Sequence, residues 1–297
     1  MNLSEKAGLL CAAMLLSAVA NAAAPEAPRS MGGGNCAKSI YNCADTPNPL
    51  PQADIVWLEE MTWMDVRDAM ARGTRTVIIP TGGVEPNGPW LALGKHNYVL
   101  RSTCEAIARK LGNALCAPII AFVPEGDIEK KTGHMDSVGT ISVRQQTYEA
   151  IITDIAQSMQ AHGFEHIVFI SDNGGSNQDG MRRVAEQLNK QWSSARAYYI
   201  PEYYASWQSA DNLLLKKGLT KPGVRDGIHD DPASTLLMML ADPASVRWEQ
   251  RVKAGKATID GVSIADRQQA LAWGRELLEQ RASETAAAIA KALAARP

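Results

Sequence analysis

The chain has 297 residues, 45% of them apolar and 21% charged, a size that supports one large domain or two small ones without disulfide or metal staples. Its formal net charge of −2 excludes the basic field through which proteins bind nucleic acid or anionic membranes.

Lys6, the apolar run Ala7–Ala20 and the Ala20-Asn21-Ala22 exit describe a secretory signal peptide over residues 1–22, with an apolar run too short to span a bilayer. Cys11 lies inside that run without the small residues that a lipid-anchor site has before it. The expectation is a secreted, periplasmic protein with no stable membrane insertion after cleavage. Export makes the other four cysteines a disulfide question. Cys36–Cys43 is the favoured pair, because it tethers a segment poor in apolar residues. Cys104 and Cys116 stay open between a bond and two buried thiols.

Residues 23–53, rich in Gly, Pro, Ala and Asn, read as a flexible arm, and residues 54–297 as the domain. There the pattern predicts a helix over Met61–Arg72 and a buried strand over Thr76–Pro80. A helix over His96–Leu111 stops at Gly112, and a second strand follows over Ala117–Val123. Gln145–His162 carries Ile151, Ile152, Ile155 and Met159 on one stripe and ends at Gly163, the strongest helical signature in the chain. A strand over Ile167–Ser171, a helix over Met181–Gln191 and a strand over Ala197–Pro201 follow. Helices near Ser234–Leu240 and Gln268–Leu293 complete the series. Alternating strands and helices imply a single-domain α/β fold, a mostly parallel β-sheet flanked by helices.

In such sheets ligands bind beyond the carboxyl ends of the strands, which selects three loops. The first holds Glu85 and, beyond a Gly/Pro-rich stretch, His96; a carboxylate with an imidazole suits a divalent metal or an acid/base pair, although spacing alone favours a capped turn and a capped helix. The second offers Glu125, Asp127, His134 and Asp136, the third Asp172 and Asn173 followed by Gly174 and Gly175. A fourth cluster, Gly227 to Pro232, contains His229 beside aspartates suited to capping. His162 and His166 read as structural or surface residues. The glycine spacing fits neither a P-loop nor a dinucleotide fingerprint, and no Gly-x-Ser-x-Gly elbow appears.

The order Thr-Gly-Gly-x-Glu-x-x-Gly-Pro-x-Leu (Thr81 to Leu91), Gly-Thr-Ile-Ser (Gly139 to Ser142), and His-Gly-Phe (His162 to Phe164) leading to a strand and a Gly-Gly turn resembles the creatininase family over roughly residues 55–245. The resemblance implies a compact α/β fold with a pair of zinc or manganese ions at the sheet's carboxyl edge, and hydrolysis of cyclic or linear amides and related C–N bonds. Glu85 matches the family's first metal carboxylate, His229 the His of a late His-Ala-Gly segment, and His134 the His before Gly-Thr-Ile. Asn87 stands where the family commonly has His, and His96 where it usually has a bridging Asp. The family's Asn-Gly-His-Gly-Gly turn reads Ser171 to Gly175 here, which replaces another ligand His, and Ser234 stands at a carboxylate position.

These substitutions lead to an expectation of one divalent ion, Zn or Mn, rather than two, held by Glu85, His96 and Asp172. His229 and His134 are the expected proton carriers, and Asn87, Trp90, Asn173, Gly174 and Gly175 the substrate-binding residues. The expected partners are a small-molecule substrate and further copies of the chain in a homo-oligomer. The competing expectation is a non-catalytic small-molecule binding protein on the same fold; a sugar isomerase or lyase in which His134 and His229 trade protons is the third.

Overall fold

The computed structural model describes Cys43, residues 45–221 and residues 229–295. The expected signal peptide, most of the arm, Cys36 of the Cys36–Cys43 pair, and Gly227–Ile228 lie outside the described residues. The chain divides into two compact units, Met1–Pro49 and Leu50–Pro297; all that follows concerns the second.

Its elements are α1 (Trp63–Ala71), β1 (Thr76–Thr81), α2 (Lys95–Leu111), β2 (Ala114–Cys116), α3 (Gln145–Ala161), β3 (His166–Ser171), α4 (Ser176–Gln191) and β4 (Arg196–Tyr199). After them come α5 (Glu202–Lys216), α6 (Pro232–Ala241), α7 (Trp248–Lys253), a small hairpin of β5 (Thr258–Ile259) and β6 (Val262–Ser263), and α8 (Arg267–Ala294). The main sheet has the order β2-β1-β3-β4, every neighbouring pair parallel. The mostly parallel sheet flanked by helices is therefore the fold. Among the described residues no helix is long and apolar enough to cross a membrane.

Burial on both faces explains the continuous apolar strands. Side chains alternate along a strand, so Val77 and Ile79 join Ile152, Phe169 and Met181 in the layer toward α3 and α4. Ile78 joins Val168, Leu100, Ile107 and Ile289 in the layer toward α2 and α8. Helix α6 lies further out with Leu236, Leu237, Met238 and Met239 all fully buried, the expected state of a helix apolar all round.

Local chemistry sets the boundaries. Thr62 and Asp65 form a reciprocal capping box that starts α1. Gly112, in the left-handed region at φ 74°, ends α2. The strand expected over Ala117–Val123 instead occupies Ala114–Cys116. Beyond it the chain still runs along β1, with Ala117 N donating to Ile78 O (2.8 Å) and Ile120 N to Pro80 O (2.9 Å). Pro118 between them has no N–H to continue a ladder. The strand expected through Pro201 ends at Tyr199 because α5, absent from the sequence reading, begins at Glu202. Cys104 and Cys116 are joined in a disulfide between α2 and β2, which resolves the alternative left open above.

Candidate active site

The carboxyl ends of β1 and β3 lie side by side, with Thr81 paired to Ser171, so the loops after them converge. The loop after β1 is closed by Asn87, whose side-chain amide donates to Glu85 O (3.0 Å) and Ala92 O (3.1 Å), while Glu85 N donates to Leu93 O (3.1 Å). Gly83 passes so near the second loop that a Cβ there would collide with the Glu125 carboxylate and the Asn173 amide. The turn after β3 is shaped by Ser171 Oγ, which accepts from Asn173 N (3.2 Å) and Asn177 Nδ2 (2.7 Å).

These turns bring five polar side chains together out of water: Glu85, His96, Glu125, Asp172 and Asn173 are all buried. Asp172 anchors the group. Its Oδ1 accepts from Arg281 Nη2 and Tyr203 Oη, both at 3.0 Å, and its Oδ2 lies 2.8 Å from His96 Nδ1. The other ring nitrogen, His96 Nε2, is 2.9 Å from Glu85 Oε1. Guanidinium, carboxylate, imidazole and carboxylate thus form one line from α8 into the first loop. Lys95 Nζ sits 3.0 Å from the same Glu85 Oε1. Asn173 Nδ2 donates to Glu85 Oε2 (3.2 Å) and Glu125 Oε1 (2.6 Å).

Two half-exposed imidazoles face this line from the solvent side. His134 Nδ1 lies 3.1 Å from Glu85 Oε2 and 3.0 Å from Glu125 Oε2. His229 Nδ1 lies 3.0 Å from Glu85 Oε1 and 3.1 Å from Pro86 O. Their rings meet edge to face at 5.2 Å. His229 has a left-handed backbone, φ 52°, which a non-glycine residue adopts at a cost. The neighbouring Asp230 is clamped by the buried Arg251 at 2.6 Å.

The electrostatics follow from this packing. Burial pushes the Asp172 carboxyl up, but the Arg281 charge and the His96 hydrogen bond outweigh it and hold the group below its ordinary range. Burial also raises Glu85, and the hydrogen bonds from His229 and His96 with the charges of His96 and Lys95 overturn that, leaving it well below the usual carboxylate range. His96 is driven down by burial and up by Asp172 and Glu85, with a net rise; an imidazolium between two carboxylates donates through both nitrogens. Glu125 goes the other way: burial, aided by the Glu85 charge and opposed by the His134 hydrogen bond, pushes it up to about 7.

A cavity of about 590 Å³ opens over these groups, walled on its far side by Tyr204, Trp207 and Gln208 of α5. The expected site residues Glu85, His96, His134, Asp172, His229, Asn173, Gly174 and Gly175 all line it. Asn87 and Trp90, expected to bind substrate, are not part of that lining. The Asn87 amide is spent on loop carbonyls, and Trp90 packs in the outer core with Arg251 over its ring at 5.8 Å. The structure also groups the acids and imidazoles differently from the expected set. Both nitrogens of His96 face carboxylates, and the side chains whose donor atoms converge within 4.8 Å of one another are Glu85, His134 and His229.

Sequence reasoning gave no role to Lys95, Glu125 or Arg281. Glu125 stood among the polar residues of the second loop and Lys95 beside His96, but nothing local marks Arg281, which reaches Asp172 across 109 residues.

The sequence model of the creatininase family, described as creatinine amidohydrolase, matches residues 59–291. The creatinine amidohydrolase of Pseudomonas putida is 23% identical over 116 residues, 39% of this chain and 44% of that protein. The mycofactocin precursor peptide peptidase of Mycobacterium ulcerans (strain Agy99) is 24% identical over 128 residues, 40% of this chain and 48% of that protein. Each match thus spans under half of the relative's length. Among solved structures, creatinine amidohydrolase (creatininase) superposes with a TM-score of 0.60 at 19% identity, covering 81% of this chain and 98% of that one. A mutant creatininase of Zn-Zn type gives 0.60 at 18%, over 81% and 99% of the two chains. A putative creatinine amidohydrolase from Bacteroides fragilis NCTC 9343 gives 0.59 at 16%, over 83% and 99%. With the family model spanning most of its length and the fold shared at this level, the chain belongs to the creatininase family.

Proposed function

We propose that the protein is a metal-dependent hydrolase of the creatininase type, acting on an amide or cyclic C–N bond of a small metabolite. The observation that carries this reading is the convergence of Glu85, His134 and His229 at the floor of a cavity beyond the strand ends. One carboxylate and two imidazoles make a donor set suited to Zn or Mn, and three protein donors leave a position for water or substrate. A second ion does not fit. Asn87 holds its own loop through its amide nitrogen and lies outside the cavity lining, the Asn173 amide points its N–H groups at Glu85 and Glu125, and both His96 nitrogens are engaged. When bound, a divalent cation supplies Lewis acidity toward an amide carbonyl.

The chain's own groups supply the rest. Glu125, titrating near neutrality and 3.0 Å from His134 Nδ1, is matched to taking a proton and returning it to a leaving nitrogen. His229 faces Glu85 Oε1, the oxygen opposite the one facing His134, and completes the donor set. The line from Arg281 through Asp172 and His96 holds Glu85 in one orientation, so its carboxylate needs little rearrangement during a turnover. Tyr204, Trp207 and the glycine turn at Gly174–Gly175 enclose the substrate.

Elemental analysis of the untagged protein, alongside a Glu85→Gln variant, tests the reading. Close to one equivalent of zinc or manganese per chain is expected, lost together with amidase turnover in the variant. A variant that keeps full turnover on a substrate of the native protein sinks it. The alternative of a non-catalytic binding protein draws on Glu85 already meeting Lys95, His96 and Asn173. It requires ligand binding that a chelator leaves unchanged, with no turnover of that ligand.

A further inference from the structure

Lys95 is a buried cation of the cavity lining that the proposed chemistry leaves without a part. It is the first residue of α2, where the partial positive charge of a helix N-terminus disfavours an ammonium, so helix stability does not account for it. Its side chain is 6% exposed, lines the cavity and makes an ion pair with Glu85 Oε1 at 3.0 Å. That oxygen also faces His96 Nε2 at 2.9 Å and His229 Nδ1 at 3.0 Å, whereas Oε2 meets Asn173 Nδ2 at 3.2 Å and His134 Nδ1 at 3.1 Å. A carboxylate offers about four lone-pair directions in all, and Lys95, His96 and Asn173 together draw on three of those of Glu85, apart from the two imidazoles of the donor set. A divalent ion held by Glu85, His134 and His229 would therefore draw on a carboxylate that already carries an ammonium.

The structure assigns to Lys95 the role of the site's built-in second cation: its ammonium would share the Glu85 carboxylate with the metal, limit the site to one divalent ion, and set how tightly that ion is held. The charge count supports this. Glu85 and Asp172 are buried against Lys95, His96 and Arg281, so both carboxylates already have cationic partners before any metal arrives. An incoming ion gains less from Glu85 than it would from an unpaired carboxylate. Lys95 also keeps N–H groups beyond the one toward Glu85 facing the cavity, where they can receive a carbonyl or carboxylate oxygen of the substrate.

The inference rests on the metal-binding reading above, and the test separates the two. Zinc(II) and manganese(II) alone are titrated against a competing chelator into the full-length, chelator-stripped protein and into Lys95→Met and Lys95→Arg variants, with bound metal counted by native mass spectrometry. The expected result is one ion per chain in the native protein, about tenfold or tighter affinity in Lys95→Met, and near-native affinity in Lys95→Arg. Two ions in the native protein, or an affinity in Lys95→Met equal to or weaker than native, overturns the role of Lys95 and leaves the metal reading standing. Metal bound by Lys95→Met alone supports Lys95 and defeats the metal-dependent reading of the native site. Metal bound by neither defeats both. Thermal melting checks that Lys95→Met is folded, and Lys95→Gln supplies the same comparison if it is not.

Discussion

Arg281 shows how one side chain can carry an arrangement that no local pattern announces. It is fully buried, pairs with Asp172 at 3.0 Å, donates to Ser206 Oγ at 2.9 Å, and lies 3.8 Å from the Trp207 ring centre. Its stem and guanidinium therefore contribute packing as well as charge. Removing one partner of a buried pair strands the other charge, which costs about 3–5 kcal/mol. Arg281→Met is expected to lower unfolding free energy by that amount in urea titrations. The double variant Arg281→Met/Asp172→Asn should recover part of the loss, because the stranded charge is gone. If the double variant is no more stable than the single one, the pairing account of Asp172 fails. Lys95, Glu125 and Arg281 share a reason for going unassigned in the sequence. Their neighbours in space lie 10, 9 and 109 residues away, and which nitrogen faces which oxygen depends on rotamers fixed by those neighbours.

Among the elements, α2 joins the site to the core. Its first turn supplies Lys95 and His96, and Val99, Leu100, Thr103, Cys104 and Ile107 of the same helix are buried. The Cys104–Cys116 disulfide ties its middle to β2 across 12 residues. Closing a loop of that length is worth about 2–3 kcal/mol in the chain-entropy account. A Cys104→Ala/Cys116→Ala variant is expected to lose about that much stability. The same loss should follow reduction of the native protein in denaturant, and a variant as stable as the oxidised chain would show that the bond only decorates a packed contact.

The elements that could be read in advance were those whose environment is uniform along their length. β1 and β3 are buried on both faces and show as unbroken β-branched runs, and α3 shows a stripe because one side packs. Where the environment changes within a few residues the reading slipped. Pro118 cut the second strand, and α5 went unseen because Tyr203, Ser206, Ala210 and Leu214 form its buried stripe within a mixed polar and aromatic stretch. The strand-end rule found the loops that make the site, and the creatininase resemblance supplied the metal. Neither could show that His96 is enclosed between two carboxylates while His134 faces the cavity beside Glu85 and Glu125.

For the whole molecule, these carboxylates shape the dependence of stability on pH in opposite senses. Glu85 and Asp172 sit below their ordinary values, so the stability they add is present above those values and is lost as pH falls through their folded pKa. Glu125, raised from 4.5 to about 7, contributes stability that is complete below 4.5 and is lost as pH rises through 7. His96, raised above 6.5, adds a loss of the same sign at higher pH. The metal-free protein is therefore expected to unfold at lower urea concentration at pH 8 than at pH 5, with a further decline toward strong acid. Glu125→Gln should flatten the decline between pH 5 and 8; an unchanged slope in that variant would remove Glu125 as its source.

The order of the line Glu85, His96, Asp172, Arg281 along the chain has a consequence for biosynthesis. Three members leave the ribosome with the central strands, and the fourth comes with α8, more than a hundred residues later. Domains begin to fold from the N-terminal side as they are made, but Asp172 cannot be buried in its final state until its guanidinium partner arrives. Asp172 therefore gains its guanidinium partner only when α8 docks. A chain that ends before residue 281 holds every strand of the sheet but leaves Asp172 without its guanidinium partner.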